Sequence, residues 1–219
     1  MLHFDGEGRK SCMNDHFESV RSYYDDCLLS HGPTARGVDW NSAESQLLRF
    51  SILHEITKLR PTESVLDVGC GFGSFLGFLR DNNHRGAYSG IDISQNMIET
   101  AIQLFPEDAD AFVVTADLSS APTSSIVVAS GLFNVRAGTD LDIWTDYVDA
   151  TIVQLASLAE SRLALNFLST HSDQQLRDER LHYDSIGRVA DLLANAMSRR
   201  LRIRQDYGLY EFTICAEKV

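Results

Sequence analysis

The sequence predicts an α/β fold: a doubly wound, seven-stranded sheet, mostly parallel, with an antiparallel C-terminal hairpin strand and a helical extension in front. Three observations predict it. From about residue 42, short apolar runs alternate with stretches of helical periodicity, the pattern of a parallel sheet covered by helices on both faces. The stretch "SVLDVGCGFGSFLGFL" (64–79) sets a glycine-rich bend between an apolar run and a helix. The chain closes on two strand-like runs joined by a short turn.

Taken in order, "NSAESQLLRFSILHEITKLRP" reads as a helix capped by Asn41 with Glu44 three residues on, carrying Leu48, Ile52, Ile56 and Leu59 on one face and ended by Pro61. "SVLDV" is the first strand, and the glycine bend opens a helix through Phe75, Leu76, Phe78 and Leu79. "AYSGIDI" (87–93) is the second strand. The helix "SQNMIETAIQLF" follows, capped by Ser94, with Met97, Ile98, Ala101, Ile102 and Phe105 inward before Pro106. Strands three and four are "DAFVVTADL" (110–118) and "SSIVVASGLF" (124–133). The longest helix, "DLDIWTDYVDATIVQLASLAE", turns Ile143, Tyr147, Val148, Ile152 and Leu155 to the core. "RLALNFLS" (162–169) is strand five, a helix spans about 183–197, and "RLRIRQDY" and "EFTICAEKV" finish the sheet. Residues 1–41 form an N-terminal extension and 42–219 the main domain.

Bulk properties narrow the function. The 219 residues are 44% hydrophobic and 23% charged, enough to bury a substantial core. The net charge of −12 repels phosphate backbones, which disfavours nucleic acid as a partner. The one basic cluster, "SRRLRIRQ" (198–205), alternates like the exposed face of a strand. No run reaches the length of a membrane span, and "MLHFDGEGRKSCMNDHF" lacks the apolar centre of a signal peptide. Cys12, Cys27, Cys70 and Cys215 show no metal-ligand spacing, so the expectation is a reduced, cytoplasmic, metal-free protein, monomeric or homodimeric.

The glycine bend carries the chemistry. A kinase-type phosphate loop needs G-x-x-x-x-G-K-S/T, and no Lys stands here. A dinucleotide loop needs G-x-G-x-x-G, but Gly69, Gly71 and Gly73 bring the third glycine one residue early. Asp67 at the entrance would face a pyrophosphate with its own negative charge, which is unfavourable; beside a cation it is favourable. S-adenosyl-L-methionine (SAM) is such a ligand, with an ammonium and a sulfonium and no phosphate. Asp92, 25 residues after Asp67 at the end of strand two, suits the ribose hydroxyls, and Asp117 with Leu118 after strand three suits the adenine. A turn-capping role for each Asp is the competing reading. Cys70 reads as a small buried spacer.

With these residues in place the chain resembles the class I SAM-dependent methyltransferases: "VLDVGCGFG" matches their first motif, "GIDIS" the second and "TADL" the third. The resemblance covers roughly 42–219 and implies their Rossmann-like sheet. It implies that Gly69, Gly71 and Gly73 line the cofactor, that Asp67 fixes its methionine end, and that Asp92 with Ile93 holds the ribose. Asp117 and Leu118 then flank the adenine, and Ser130 joins this set. The product is S-adenosyl-L-homocysteine (SAH). The pattern "YY…HG…GVDWNS" through "ASGLFNV" and "DYGLYEFTI" is similar to a bacterial, small-molecule-type branch.

On the acceptor side, "SGLF" departs from the N-P-P-Y-like sequence of enzymes that methylate base amines or glutamine amides. Asn134 and Arg136 either reach the acceptor or satisfy their own loop. In small-molecule members the segment before strand one folds over the cofactor as a lid, which makes Tyr23, Tyr24, His31 and Trp40 its aromatic surface and sets Arg49 against the SAM carboxylate. Beyond strand five lie His171, Asp173, His182 and Tyr183, with His171 the first candidate base and His31 the second. The expected activity is methyl transfer to oxygen or nitrogen of a small molecule. The rivals are a protein or peptide methyltransferase, a non-catalytic partner of the same fold, and an NAD(P)-dependent oxidoreductase.

Overall fold

The computed structural model describes residues 7–218, with side chains described from Met13 onward; the start of the extension, the Cys12 side chain and Val219 lie outside the described residues. One seven-stranded sheet has β1 (Val65–Val68), β2 (Tyr88–Asp92), β3 (Phe112–Val114), β4 (Ser124–Ser130), β5 (Ala159–Leu168), β6 (Leu201–Arg204) and β7 (Glu211–Glu217). Their spatial order is β3-β2-β1-β4-β5-β7-β6. β1 through β5 pair parallel, and β7 inserts antiparallel between β5 and β6. The hairpin expected at the end of the sheet is therefore present, and its last strand enters the sheet inside the first.

Strand alternation sorts the core into two layers, because successive side chains point to opposite faces. In β4, Ile126 and Val128 face one cluster, and Val127 and Ala129 the other. On the first face lie α2 (Ala43–Thr57), α3 (Ser74–Asp81) and α4 (Gln95–Leu104), which contribute Phe50, Leu53, Phe75, Leu79, Ile98 and Ala101. On the second lie α5 (Leu141–Leu158) and α6 (Ile186–Ala196), through Trp144, Val148, Ile152, Leu155, Val189 and Leu193. Each layer removes continuous apolar area from water at about 25 cal/mol per Å², the main term holding the sheet.

Several boundaries differ from expectation for local reasons. The α2 cap is Ser42, not Asn41: the Ser42 hydroxyl accepts from Ser45 N at 3.2 Å and Ser45 Oγ accepts from Ser42 N at 3.3 Å, a reciprocal box one residue later. That helix stops at Lys58 in a left-handed conformation, before Pro61 is reached. β3 shrinks to three residues because Pro106–Ala111 winds into a short 3-10 helix. α6 starts at Ile186, since Asp184 is bridged to Ser169 beyond the end of β5. Ile102 on α4, expected inward, is exposed. Two of the four arginines of the basic cluster sit on the edge strand β6 against carboxylates, Arg202 on Glu217 at 2.7 Å and Arg204 on Asp206 at 2.5 Å.

The first 41 residues supply α1 (Glu7–His31) and a 3-10 turn at Ala35–Val38. The chain runs from β1 outward to β3, then returns to β4 on the other side of β1, so the order reverses between β1 and β4. Ligands in open α/β sheets bind in the crevice at such a reversal, beyond the carboxyl ends of the strands. The loops after β1 and β4 border that crevice, and α1 lies against it. Among the described residues no helix is long and apolar enough to cross a membrane.

Candidate active site

A cavity of about 150 Å³ occupies this crevice. Its wall comes from the β1 loop (Gly69, Cys70, Gly71, Ser74), the tip of β2 (Asp92, Ile93), the segment after β3 (Thr115, Ala116, Leu118) and the β4 loop (Ser130, Gly131, Leu132). The opposite wall is made by His16, Phe17, Val20, Tyr24, Val38 and Trp40 of the N-terminal segment, with Val135, Trp144, Tyr147 and Thr151 beside them.

The acidic end is built from two strand tips. Asp67, 4% exposed, accepts a 2.7 Å hydrogen bond from the Tyr88 hydroxyl on the neighbouring strand. Burial lifts its carboxyl to about 7; the Tyr88 bond opposes the rise and the charge of Asp92 adds to it. Asp92 is half-buried, and its two oxygens accept from Gly71 N and Ser94 N, each at 2.9 Å. Its carboxyl is also pushed up, first by burial, against the N–H groups of Ser94, Gly71 and Ile93, with Asp25 adding repulsion. Asp92 thus caps its own turn and ties the glycine loop to β2. No Lys or Arg lines the cavity among the described residues. Two crowded carboxylates without a counter-charge favour a cationic, phosphate-free ligand.

That electrostatic state sets a pH dependence. A cation beside Asp67 favours its charged form and lowers its pKa, so cation binding expels a proton across the window from 3.8 to about 7. Affinity for the sulfonium ligand is expected to rise with pH through that window and level off above it. Calorimetry in two buffers of different ionisation enthalpy reads the proton directly; equal heats at pH 5.5 would contradict the assignment.

Backbone constraints shape the loops. Gly71 has φ +55°, and a Cβ there would stand 3.1 Å from Val38 Cγ1, so the β1 loop and the N-terminal segment meet where only glycine fits. Gly131 has φ +82°, and its missing Cβ would lie 2.9 Å from the Trp40 ring. Trp40 in turn stacks under the Arg49 guanidinium at 3.9 Å. α1 is latched to the site by Asp25, which accepts from Ser94 Oγ at 2.5 Å, the same serine that caps α4.

The structure brings together Tyr24, Asp67, Gly69, Gly71, Asp92, Ile93, Leu118 and Ser130 around one cavity. Five expected site residues lie elsewhere. Gly73 is buried behind the loop, where a Cβ would meet Phe112 and Phe105. Asp117 is exposed and caps its own short turn, accepting from Ser119 N and Ser119 Oγ at 2.9 Å, while Thr115 and Ala116 line the cavity beside it.

Arg49 is 5% exposed and does not line the cavity: its charge is neutralised by Glu211, and Ser45 O accepts from it at 2.9 Å, so in this arrangement the guanidinium is turned away from a cofactor carboxylate. His171 is exposed beside a separate shallow hollow, its Nδ1 3.3 Å from Gln205 Oε1, because Ser169 bonds to Tyr210 O and steers the loop toward the β6–β7 hairpin. His31 ends α1 in solvent, past the cavity. Arg136 braces its loop, donating to Thr139 O and, at 3.0 Å, to Glu179 O, and the Asn134 backbone O accepts from His182 N at 2.8 Å, while the buried Asn134 Oδ1 has no hydrogen-bond partner among the described residues. Tyr23 packs edge-on against Tyr24 and does not line the cavity.

His16, Phe17 and Trp144 are site residues that the sequence did not reveal, with Tyr147 and Met97, expected only as core. A signal existed: Met13, His16, Phe17, Val20 and Tyr24 follow helical spacing on α1. Polar residues around them obscured it.

The comparisons agree with this geometry. Residues 66–158 match the family described as "Methyltransferase domain". The Mycobacterium tuberculosis protein named "Putative methyltransferase Rv1506c" is 33% identical over 156 residues, covering 71% of this chain and 93% of that one. Among solved structures, the SAH-bound magnesium protoporphyrin IX methyltransferase of Synechocystis PCC 6803 superposes with TM-score 0.67 at 19% identity, covering 93% of this chain and 100% of that chain. The 1,6-didemethyltoxoflavin-N1-methyltransferase of Burkholderia thailandensis, bound to its acceptor and SAH, gives 0.61 at 14% identity over 94% and 89%. Fold and motif together define an enzyme that uses SAM as methyl donor. The chain belongs to the class I SAM-dependent methyltransferases.

Proposed function

We propose that this enzyme transfers the methyl group of SAM to an oxygen or nitrogen of a small-molecule acceptor, inside a cavity that the N-terminal segment from His16 to Trp40 covers as a lid. The observation that carries this reading is the closure: six residues of the N-terminal segment, from His16 to Trp40, form the wall opposite the strand tips. A polypeptide acceptor would need an open groove there. Ser130 Oγ, buried at the end of β4 without a hydrogen-bond partner, adds a polar group awaiting a ligand.

Bound SAM would supply an activated methyl group on a sulfide leaving group. The chain's own residues hold and orient. Asp67 and Asp92 furnish the negative field for the ammonium and sulfonium, and the half-buried Asp92 accepts from the ribose hydroxyls. The glycine loop brings backbone within reach, and Trp40, Tyr24 and Phe17 exclude water. Domain limits of 1–41 for the lid and 42–219 for the catalytic unit follow from this division.

Incubating the protein with methyl-labelled SAM and cell extract tests it. The expected product is a labelled compound of low mass. Label in a polypeptide would establish the protein-methylating rival, and no label would favour the non-catalytic partner.

A further inference from the structure

The cavity has two chemically distinct ends, joined by α1. Asp25 sits at the acidic end, latched to Ser94 beside Asp92, and His16 sits nine residues earlier on the same helix. At 1.5 Å per residue these are about 13 Å apart along its axis, so the groups at one end are not in contact with those at the other. Around His16 the rings converge: Trp144 at 4.7 Å and Tyr147 at 6.3 Å between centroids, with Phe17 5.5 Å from Tyr147. His16 is 5% exposed, and its Nδ1 lies 2.9 Å from Thr139 Oγ1, itself buried. Trp144, 1% exposed, leaves its indole N–H without an acceptor, a loss that phenylalanine would avoid.

We propose, building on the methyl-transfer reading above, that this α1–α5 end is the acceptor chamber. Its occupant is an uncharged planar aromatic bearing a hydroxyl or ring N–H, stacked among Phe17, Trp144 and Tyr147. His16, braced by Thr139, takes the proton that the acceptor loses.

Three features select that chemistry. Flat rings on three sides suit a planar guest. An anionic acceptor would find no Lys or Arg in the lining and two carboxylates at the far end. Burial brings His16 down to about 4, against a hydrogen bond to the Arg136 backbone, so the imidazole is neutral near pH 7; the same burial makes it a weak base, which takes the proton only as the acceptor gains the methyl group and becomes strongly acidic. In the transfer, the acceptor heteroatom forms the new bond to carbon with its own lone pair as the carbon–sulfur bond breaks toward sulfur. The acceptor's proton passes to His16 and then to water. One positive charge thus moves from sulfur to imidazole, and the cavity's net charge is unchanged at the moment of reaction.

The test is calorimetric, with SAH first and matched probes second. SAH-saturated protein is expected to bind 2-naphthol saturably, and at least about tenfold more tightly than 2-naphthoate at neutral pH, the scale of one hydrogen bond or uncompensated charge. His16→Phe keeps the ring packing and is expected to lose about tenfold in 2-naphthol affinity, a larger loss than any in SAH affinity. Equal or tighter binding of 2-naphthoate, no saturable 2-naphthol binding, or an indifferent His16→Phe variant would each overturn the chamber assignment. Absence of SAH binding in the parent protein would instead fail at the cofactor end, and the methyl-transfer reading would fall with it.

Discussion

Replacing Asp92 with alanine is expected to weaken SAH binding by two to three orders of magnitude while leaving the fold intact. The carboxylate does two jobs at one place. Its oxygens hold Gly71 N and Ser94 N at 2.9 Å, which sets the glycine loop, and it stands at the tip of β2, where the proposed ribose contact falls. Hydrogen bonds to a charged group are worth about 1.5–3 kcal/mol each; losing two in the lower part of that range costs roughly 3–4 kcal/mol, or about 10²–10³ in Kd. Asp92→Asn separates charge from shape: it keeps an acceptor oxygen, and its loss is expected to be about tenfold. Because the native carboxyl is already disfavoured by burial, neither variant is expected to melt much below the parent. An alanine variant binding SAH within about threefold of the parent would remove Asp92 from the site.

The second large effect is on stability. Arg49 and Glu211 form a buried pair, 5% and 2% exposed, joined across the α2–β7 packing, and Asn166 Nδ2 donates to Glu211 at 2.9 Å. Arg49→Met strands that carboxylate in the interior. Breaking one partner of such a pair costs about 3–5 kcal/mol, which for a chain this size lowers the melting temperature by roughly 10 °C. The double variant Arg49→Met, Glu211→Met removes both charges and is expected to recover most of the loss. Calorimetric melts decide this. The variant also separates two roles for the residue. An arginine that held the cofactor carboxylate would lose SAH affinity with little change in melting. The structure predicts the reverse, apart from a modest affinity loss as Trp40 is freed from its stack.

The comparison of Asp92 with Arg49 shows what was legible before the structure. Asp67 and Asp92 end apolar runs that alternate with helices, so local pattern alone placed them at strand tips facing one crevice. Seven strands and the antiparallel finish were readable the same way. Arg49 was not, because its partner lies 162 residues away in sequence and only the insertion of β7 beside β5 brings them together. Asp117 follows a strand that ended earlier than its apolar residues implied, so its side chain turned to its own loop. His171 was carried away from the cavity by the direction of one loop, which the Ser169 bond to Tyr210 O turns toward the β6–β7 hairpin. His16 was hidden by α1 itself: a mostly polar helix whose apolar face is short reads as solvated until something is seen to pack on it.

The central claim is that the acidic strand tips and the glycine loop hold the methyl donor beneath α1. A crystal structure with SAH tests it most directly. The account predicts the ribose hydroxyls within hydrogen-bond reach of Asp92, the amino-acid end beside Gly69 and Asp67, and α1 closed over both with Asp25 on Ser94. SAH lodged elsewhere, or Asp92 engaged only by Gly71 and Ser94 with the ribose out of reach, would contradict it.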